Sequence, residues 1–197
     1  RIHPHLTVSK EPVVGLGDGV FKDSQDIEYF SVAHNDEFTT IGAEAFMNSS
    51  LREVDLFDSV TTIGARAFAG CAQLEELTLP DSLTTIGEGA LDGLIGLKKL
   101  VIKCDPALIP AGVFANMPNL SEVTIESGAV PAHMFAGSGV KALTLGEGVT
   151  EIGESAFADT LLSAADLKHV TAIGAGAFAN TALTSVELPQ AAAIGEG

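Results

Sequence analysis

The chain has 197 residues, a mass of 20.2 kDa and a formal net charge of −16, with only ten lysine and arginine residues. This acidity opposes electrostatic attraction to nucleic acids and anionic membranes, so we expect no nucleic-acid partner. The 46% hydrophobic content suffices for a sizeable core. The apolar runs are too short to cross a bilayer, because even the stretch LIGLKKLVI is interrupted by Lys98 and Lys99. We expect one domain over residues 1–197, with no membrane-spanning segment.

One motif, I-[GP]-x-x-[AV]-[FL], recurs along the chain and is called the anchor below. Its copies are spaced by 21 to 25 residues, a period typical of solenoid proteins. The ninth copy breaks off at Gly197, so we expect the domain to be truncated within a repeat and the native protein to continue. The anchors begin at Ile41, Ile63, Ile86, Ile109, Ile152 and Ile173, with looser copies at Leu16 and Val130 and an incomplete one at Ile194.

A second motif, L-x-x-L-x-L, follows each complete anchor. Its last four residues alternate between outward and inward positions, which is the pattern of a half-buried strand. One coil of about 20 residues cannot bury its own apolar side, so neighbouring coils must stack. We therefore predict eight short strands in a parallel sheet. The motifs begin at Ile27, Leu51, Leu74, Leu97, Leu120, Val140, Leu162 and Leu183.

The anchor itself resembles a short helix with a stop signal. Its second position is Gly or Pro, and both residues suit the start of a helical turn. Its eighth position is always Gly, Asn or Asp, the residues that best tolerate the left-handed conformation at a helix end. Just before the anchor, stretches such as FTTI and VTTI are rich in β-branched residues and indicate a second short strand. The eighth-position residues are Asp23, Asn48, Gly70, Gly93, Asn116, Gly137, Asp159 and Asn180.

These motifs resemble the BspA-like leucine-rich repeat family of bacterial and protozoan surface proteins. The stretch AFAGCAQLEELTLPDSLTTIG, residues 67–87, is similar to the family consensus over a whole unit, and the resemblance spans Leu16 to Gly197. It implies an α/β repeat solenoid, with a right-handed coil and a parallel sheet of about eight short strands on one face. Short helical turns or second short strands would form the other face. It also implies a secreted or surface-anchored, adhesive interaction module at the cell surface or outside the cell.

The sequence offers no catalytic, cofactor-binding or metal-binding constellation. It contains no P-loop, no H-E-x-x-H motif and no nucleophile elbow, and the resemblance brings no catalytic residues. We expect two buried thiols: Cys71 falls in a core-facing slot and should be inert, whereas the position of Cys104, just after a strand, leaves a more exposed thiol as the alternative. His3 and His5 could bind a metal, but a flexible terminus explains them better. His34, His133 and His169 lie at different phases of different repeats and should not converge on one site.

The regularly spaced phenylalanines are expected to stack inside the solenoid, because a one-coil spacing places them in equivalent core slots. A partner must then use the outward positions of the strands. Within them Lys99, Val101 and Lys103 form a basic strip, which we interpret either as charge relief between acidic strands or as a docking strip for an acidic partner. The candidate partner-binding residues are Tyr29, Asp55, Phe57, Thr78, Lys99, Val101, Lys103 and Thr124.

Three functions stay open from the sequence. The leading hypothesis is non-catalytic binding of a protein or glycan by the sheet face of a surface module. The alternative is a purely structural repeat spacer in a larger surface protein. An enzyme is the remote alternative, because no nucleophile and base, and no paired carboxylates, stand out from the repeat background.

Overall fold

A computed structural model describes residues 6–7, 13–32, 36–188 and 193–195. The chain divides into two compact units, Arg1–Leu97 (unit 1) and Lys98–Gly197 (unit 2). Within the described ranges each unit is a β-solenoid of short parallel strands and tight turns. Those ranges contain no α-helix and one 3₁₀ turn, Pro106–Leu108. The repeat solenoid is confirmed, but its α/β character is not.

Unit 1 has two parallel sheets, and strands are numbered in chain order. The first sheet has the order β1 (Leu6–Thr7), β3 (Tyr29–Ser31), β5 (Glu53–Asp55) and β7 (Glu76–Leu79). The second has the order β2 (Gly15–Leu16), β4 (Thr40–Ile41), β6 (Thr62–Ile63) and β8 (Thr85–Ile86). The second sheet confirms the predicted second short strand before the anchors at Ile41, Ile63 and Ile86. No sequence motif predicted β1.

Unit 2 has one sheet of five strands that bends from one wall of the solenoid to the other. Its order is β9 (Lys99–Ile102), β10 (Glu122–Val130), β11 (Ala142–Ile152), β12 (Ala172–Ile173) and β13 (Ala193–Ile194). The first halves of β10 and β11 pair next to β9. The second halves of β10 and β11 pair with each other after register shifts between Ile125 and Ala129. The second half of β11 also pairs with β12, and β12 pairs with β13.

Six of the eight predicted L-x-x-L-x-L strands form in the structure. The two exceptions are residues 162–167 and 183–188, which belong to no strand although they follow the same pattern. All described pairings are parallel, as predicted.

The predicted helical turn in the anchor is wrong. In an α-helix each N–H donates four residues back along the chain, and the anchor does not do this. The N–H groups of Glu44, Phe46 and Asn48 donate instead to carbonyl oxygens of the next coil, each at 2.8 Å. The N–H groups between them close tight turns within the coil, as Ala45 does to Gly42 at 3.3 Å. Hydrogen bonding between coils therefore replaces the helix.

Two left-handed residues per anchor enforce this geometry. The predicted left-handed residue at the eighth position is confirmed in all eight complete copies, for example Asn48 at φ 57° and Gly70 at φ 72°. A second one, three residues after the anchor's first residue, was not predicted. It interrupts any helix, and half of these positions carry side chains that do not signal this conformation. The second set is Gly19, Glu44, Arg66, Gly89, Gly112, His133, Ser155 and Gly176.

The glycine at the second anchor position serves close approach between coils rather than the start of a helix. A Cβ atom on Gly64 would lie 2.5 Å from the backbone nitrogen of Ala43 and 2.7 Å from the carbonyl carbon of Gly42. In unit 2 a Cβ atom on Gly174 would lie 2.4 Å from the backbone nitrogen of Glu154. Distances below 3.0 Å leave no room for a side chain.

The core of each unit is a stack of phenylalanine rings, as the sequence predicted. In unit 1 Phe46 stacks on Phe21 and Phe68, with ring centroids 5.4 Å apart. In unit 2 the stack runs through four rings with centroids 5.2 to 5.8 Å apart. The unit 2 rings are Phe114, Phe135, Phe157 and Phe178.

Replacing Gly64 by Ala should lower the free energy of unfolding by about 1 to 3 kcal/mol, because the new methyl group overlaps the backbone of the preceding coil. Gly17 occupies the same slot in the first described coil, and a Cβ atom there meets only Val20 Cγ2, at 3.6 Å, among the described residues. The Gly17→Ala control should therefore unfold at nearly the wild-type urea concentration. Equal urea midpoints for the two variants would contradict the close-approach explanation.

Replacing Phe135 by Ala should cost about 3 to 5 kcal/mol, because it leaves a ring-sized cavity between two stacked neighbours in a fully buried slot. The control Phe178→Ala should cost clearly less, since that ring is half-buried and stacks on one described ring. Urea unfolding followed by circular dichroism measures both. A cost for Phe178→Ala as large as that for Phe135→Ala would argue against the stack as the central stabilising element.

Candidate functional site

The outward side of the L-x-x-L-x-L strands, called the sheet face below, carries the candidate residues. In unit 1 the register places Tyr29 opposite Glu53, Glu53 opposite Glu76, and Ser31 opposite Asp55. Because successive strands of a sheet lie about 4.8 Å apart, these side chains form rows across the coils.

A shallow depression of about 260 Å³ lies on the sheet face of unit 1. It brings together three of the predicted residues, Tyr29, Asp55 and Thr78. Phe57 lies in the turn after β5, where its carbonyl accepts from the Val60 N–H at 3.1 Å, and it is not part of the lining. The combination is an aromatic ring among carboxylates. The full lining is Tyr29, Glu53, Val54, Asp55, Glu76, Leu77 and Thr78.

In unit 2 Lys99 and Val101 lie on β9, Thr124 lies on the adjacent strand β10, and Lys103 directly follows β9. Lys99 is in register with Glu122, and Val101 is in register with Thr124. Lys103 follows Val101 by two residues along the same strand direction. Lys99 is exposed, whereas Val101, Lys103 and Thr124 are half-buried. The basic strip therefore lies directly beside a strand that contributes Glu122.

Two further lysines that the sequence analysis did not select lie at the border of this face. The Ser121 N–H donates to the Lys98 carbonyl at 2.9 Å, and the Lys141 N–H donates to the Ser121 carbonyl at 3.0 Å. Lys98 and Lys141 therefore stand just before β9 and β11, the two strands on either side of β10. Their shared position, the first x of L-x-x-L-x-L, is the signal that could have identified them.

A second depression, of about 530 Å³, lies further along the sheet face of unit 2. It coincides with the segments that lack strand pairing. No sequence motif predicted a cavity at this position. The lining is Leu143, Ala164, Ala165, Asp166, Lys168, Ser185 and Glu187.

Asp166 has a distinct electrostatic environment at the rim of this depression. Its carboxylate accepts from the backbone N–H of Lys168 at 3.1 Å and pairs with the Lys168 ammonium group, also at 3.1 Å. These two interactions, the backbone one first, hold the pKa of Asp166 below its ordinary value.

Both cysteines are buried, as predicted, so the alternative of a more exposed Cys104 is wrong. Burial raises the pKa of Cys104 to about 11, and burial also raises the pKa of Cys71, whose thiol donates to the Phe46 carbonyl at 3.0 Å. Both side chains are therefore thiols rather than nucleophilic thiolates at neutral pH. Cys104 follows an inward strand residue, Ile102, by two positions, which explains why it faces the core.

Within the described ranges no group of three or more His, Cys, Asp or Glu side chains is arranged to hold a metal ion. His3, His5 and His34 lie outside those ranges. His133 lies in an anchor turn, and the His169 Nε2 atom lies 3.9 Å from a carboxylate oxygen of Glu147. No helix among the described residues is long and apolar enough to cross a bilayer.

The stacked coils, the inward leucines and the parallel sheets define a leucine-rich repeat protein. A family model described as the BspA type leucine-rich repeat region matches residues 14–130, 39–163 and 108–196. The chain belongs to this family.

Several solved structures are similar. A leucine-rich cell surface protein from Faecalibacterium prausnitzii is 20% identical, covering 87% of this chain and 62% of that chain, with a TM-score of 0.44. A leucine-rich repeat protein from Bacteroides ovatus is 21% identical over 96% of this chain and 83% of that chain, with a TM-score of 0.39. One from Eubacterium ventriosum is 20% identical over 96% of this chain and 60% of that chain, with a TM-score of 0.46. No curated protein matches the chain significantly.

The Asp166 carboxyl should titrate below its ordinary pKa of about 3.9. Because the folded-state pKa is lowered, the stability that this group contributes is present at neutral pH and is lost as the pH falls through the folded-state pKa. The Lys168→Met variant removes the ammonium group but keeps the backbone donor, so its Asp166 pKa should rise only part of the way. A ¹³C NMR titration measures both values. An ordinary Asp166 pKa in the wild-type protein would contradict the described hydrogen bonds.

Proposed function

We propose that this chain is a non-catalytic binding module whose sheet face recognises a protein or a glycan at the cell surface or outside the cell. The family supports a repeat scaffold without catalytic machinery. The description of the F. prausnitzii relative as a cell surface protein supports the location. The candidate contacts are Tyr29, Asp55, Phe57 and Thr78 in unit 1, and Lys99, Val101, Lys103 and Thr124 in unit 2.

The observation that carries the proposal is the register of the sheet face. Inward positions of the paired strands are filled by leucine, isoleucine, valine and phenylalanine side chains that are buried or half-buried, so the core constrains them. Outward positions in the same strands vary between acidic, basic, hydroxyl and aromatic side chains. Because the backbone fixes the rows about 4.8 Å apart, this variation becomes a rigid chemical pattern that a partner can read without reorganising the scaffold.

The strip of Lys99, Val101 and Lys103 suits an acidic group on the partner. Two cations flank a half-buried apolar residue on a molecule whose net charge is −16. A local basic strip on an acidic protein directs a negatively charged group to one position and repels it elsewhere. Charge relief is the competing explanation, because Lys99 lies beside Glu122 in the register.

The double change Lys99→Gln and Lys103→Gln separates these two explanations. Docking predicts that a ligand selected by the wild-type protein on a glycan array, or from a set of purified cell-surface ectodomains, binds at least about tenfold more weakly to the double variant. The wild-type affinity should also fall as salt is raised, because ionic screening weakens the attraction. Surface plasmon resonance at several salt concentrations measures both effects.

A matched control has the same net charge of −18, with its changes on the other wall of unit 2. Ala129 and Ala193 are exposed residues of β10 and β13, so Ala129→Glu with Ala193→Glu also lowers the net charge by two. This control should retain full affinity. Equal affinity in the lysine variant and the wild type, at an equal folded fraction by circular dichroism, would eliminate the strip as a binding site and leave charge relief as its role.

A further inference from the structure

One inward slot of unit 2 is underfilled. The middle inward residues of consecutive coils are Leu100, Val123 and Leu143, and the register aligns them one above another. The next coil places Ala165 in this slot, where a leucine side chain would otherwise pack. Leu143 is consequently only half-buried, whereas Leu100 and Val123 are 0% and 2% exposed. The space is the depression of about 530 Å³, called the Ala165 socket below.

Backbone hydrogen bonding stops at the same place. Ser121 and Lys141 donate to the preceding coil at 2.9 and 3.0 Å, and the corresponding groups of the next coil do not. No N–H group of residues 161–167 donates to any described residue. Yet the coils remain joined on both sides of this segment, because Asp159 donates to Ala179 and Thr171 donates to Thr150, each at 2.8 Å. The socket is therefore a local opening between coils that are joined elsewhere, and Ala164, Ala165 and Asp166, whose N–H groups are among those without a described acceptor, line it.

The rim of the socket is acidic and polar. Asp166, Glu187 and Ser185 line it, and its one cation, Lys168, is paired with Asp166. Backbone groups without protein partners favour an extended peptide, since a strand-like segment presents donors and acceptors at a matching spacing. The acidic rim and the acidic molecule favour lysine or arginine on that peptide.

We propose that the Ala165 socket is a docking site for an extended segment of a partner protein, which inserts one apolar side chain beside Ala165 and places basic side chains against Glu187 and Asp166. The segment's backbone bonds to the open groups of residues 161–167. The site rests on the proposed function in being part of the sheet face, but it uses none of the candidate contacts named there. A second copy of this chain suits the socket less well, because both copies carry the same acidic charge.

The experiment replaces Ala165 by a larger apolar residue, so that the protein's own side chain occupies the socket. Ala165→Leu introduces the side chain that the immediately preceding coil carries in this slot, Leu143, so it should raise the melting temperature by about 2 to 4 °C. The control Ala142→Leu adds the same atoms at an exposed outward position of β11 that does not line the socket, and it should leave the melting temperature unchanged. Ala165→Val, which adds fewer atoms, provides a second variant in case leucine overfills the space.

Binding is tested with the blocked peptide TKTLTKT, whose lysines and leucine share one side of an extended chain. The wild-type chain should bind it about tenfold more tightly than the control peptides TKTSTKT and TETLTET, as measured by isothermal titration calorimetry. Ala165→Leu should abolish this preference, Glu187→Gln should weaken binding of the lysine peptide, and Ala142→Leu should do neither.

Three results would overturn the proposal: lower melting temperatures for both Ala165 variants, no preference for the leucine peptide in the wild type, or an unchanged preference in a stabilised Ala165→Leu variant. The Lys99→Gln and Lys103→Gln variant distinguishes a failure of the proposed function from a failure of this site. If that variant keeps the selected ligand while Ala165→Leu loses the peptide, the lysine strip fails and the socket stands. If the first ligand is lost and the peptide is unaffected by Ala165→Leu, the socket fails alone.

Discussion

Backbone hydrogen bonding from each coil to the next is the interaction on which the rest of the structure depends. It sets a constant distance between coils, and the other features of each unit must fit that distance. A glycine is needed where two backbones meet, as at Gly64, and phenylalanine rings stack with centroids near 5.4 Å in unit 1. Threonine hydroxyls add to the same bonding, since Thr61 Oγ1 donates to the Thr39 carbonyl at 3.3 Å. The sequence motif thus recurs because every coil must form the same backbone hydrogen bonds to its neighbours.

This dependence explains which parts of the fold could be predicted from sequence. Six of the eight predicted strands and the phenylalanine stack follow from residue type and period, so they were predictable. The helical reading of the anchor failed because local propensity cannot show that Glu44 and Phe46 donate to another coil rather than to their own. The second left-handed position was missed for a related reason: Glu44, Arg66, His133 and Ser155 adopt it under the constraint of neighbouring coils, at a local conformational cost.

The candidate site was predictable to a smaller extent. Alternation along the strands identified outward residues such as Tyr29, Asp55 and Thr78, and these do line one depression. The pattern could not show which outward residues lie beside a cavity, because a cavity depends on what neighbouring coils fail to fill. The Ala165 socket had a sequence signal, an alanine where other copies carry a large apolar residue. That signal acquires meaning only when the slots of several coils are compared.

In a regular solenoid the backbone donors and acceptors of each coil bond to the neighbouring coils. A partner can therefore contact only the side chains. Specific recognition is therefore available in two ways: varying the outward residues, which leaves the scaffold intact, or interrupting the ladder, which costs stability. The lysine strip is an example of the first and the Ala165 socket of the second. An array of stacked coils can bear an interruption because each coil is held mainly by its immediate neighbours. Bonding before and after residues 161–167, from the N–H groups of Asp159 and Thr171, keeps the interrupted coil joined to its neighbours.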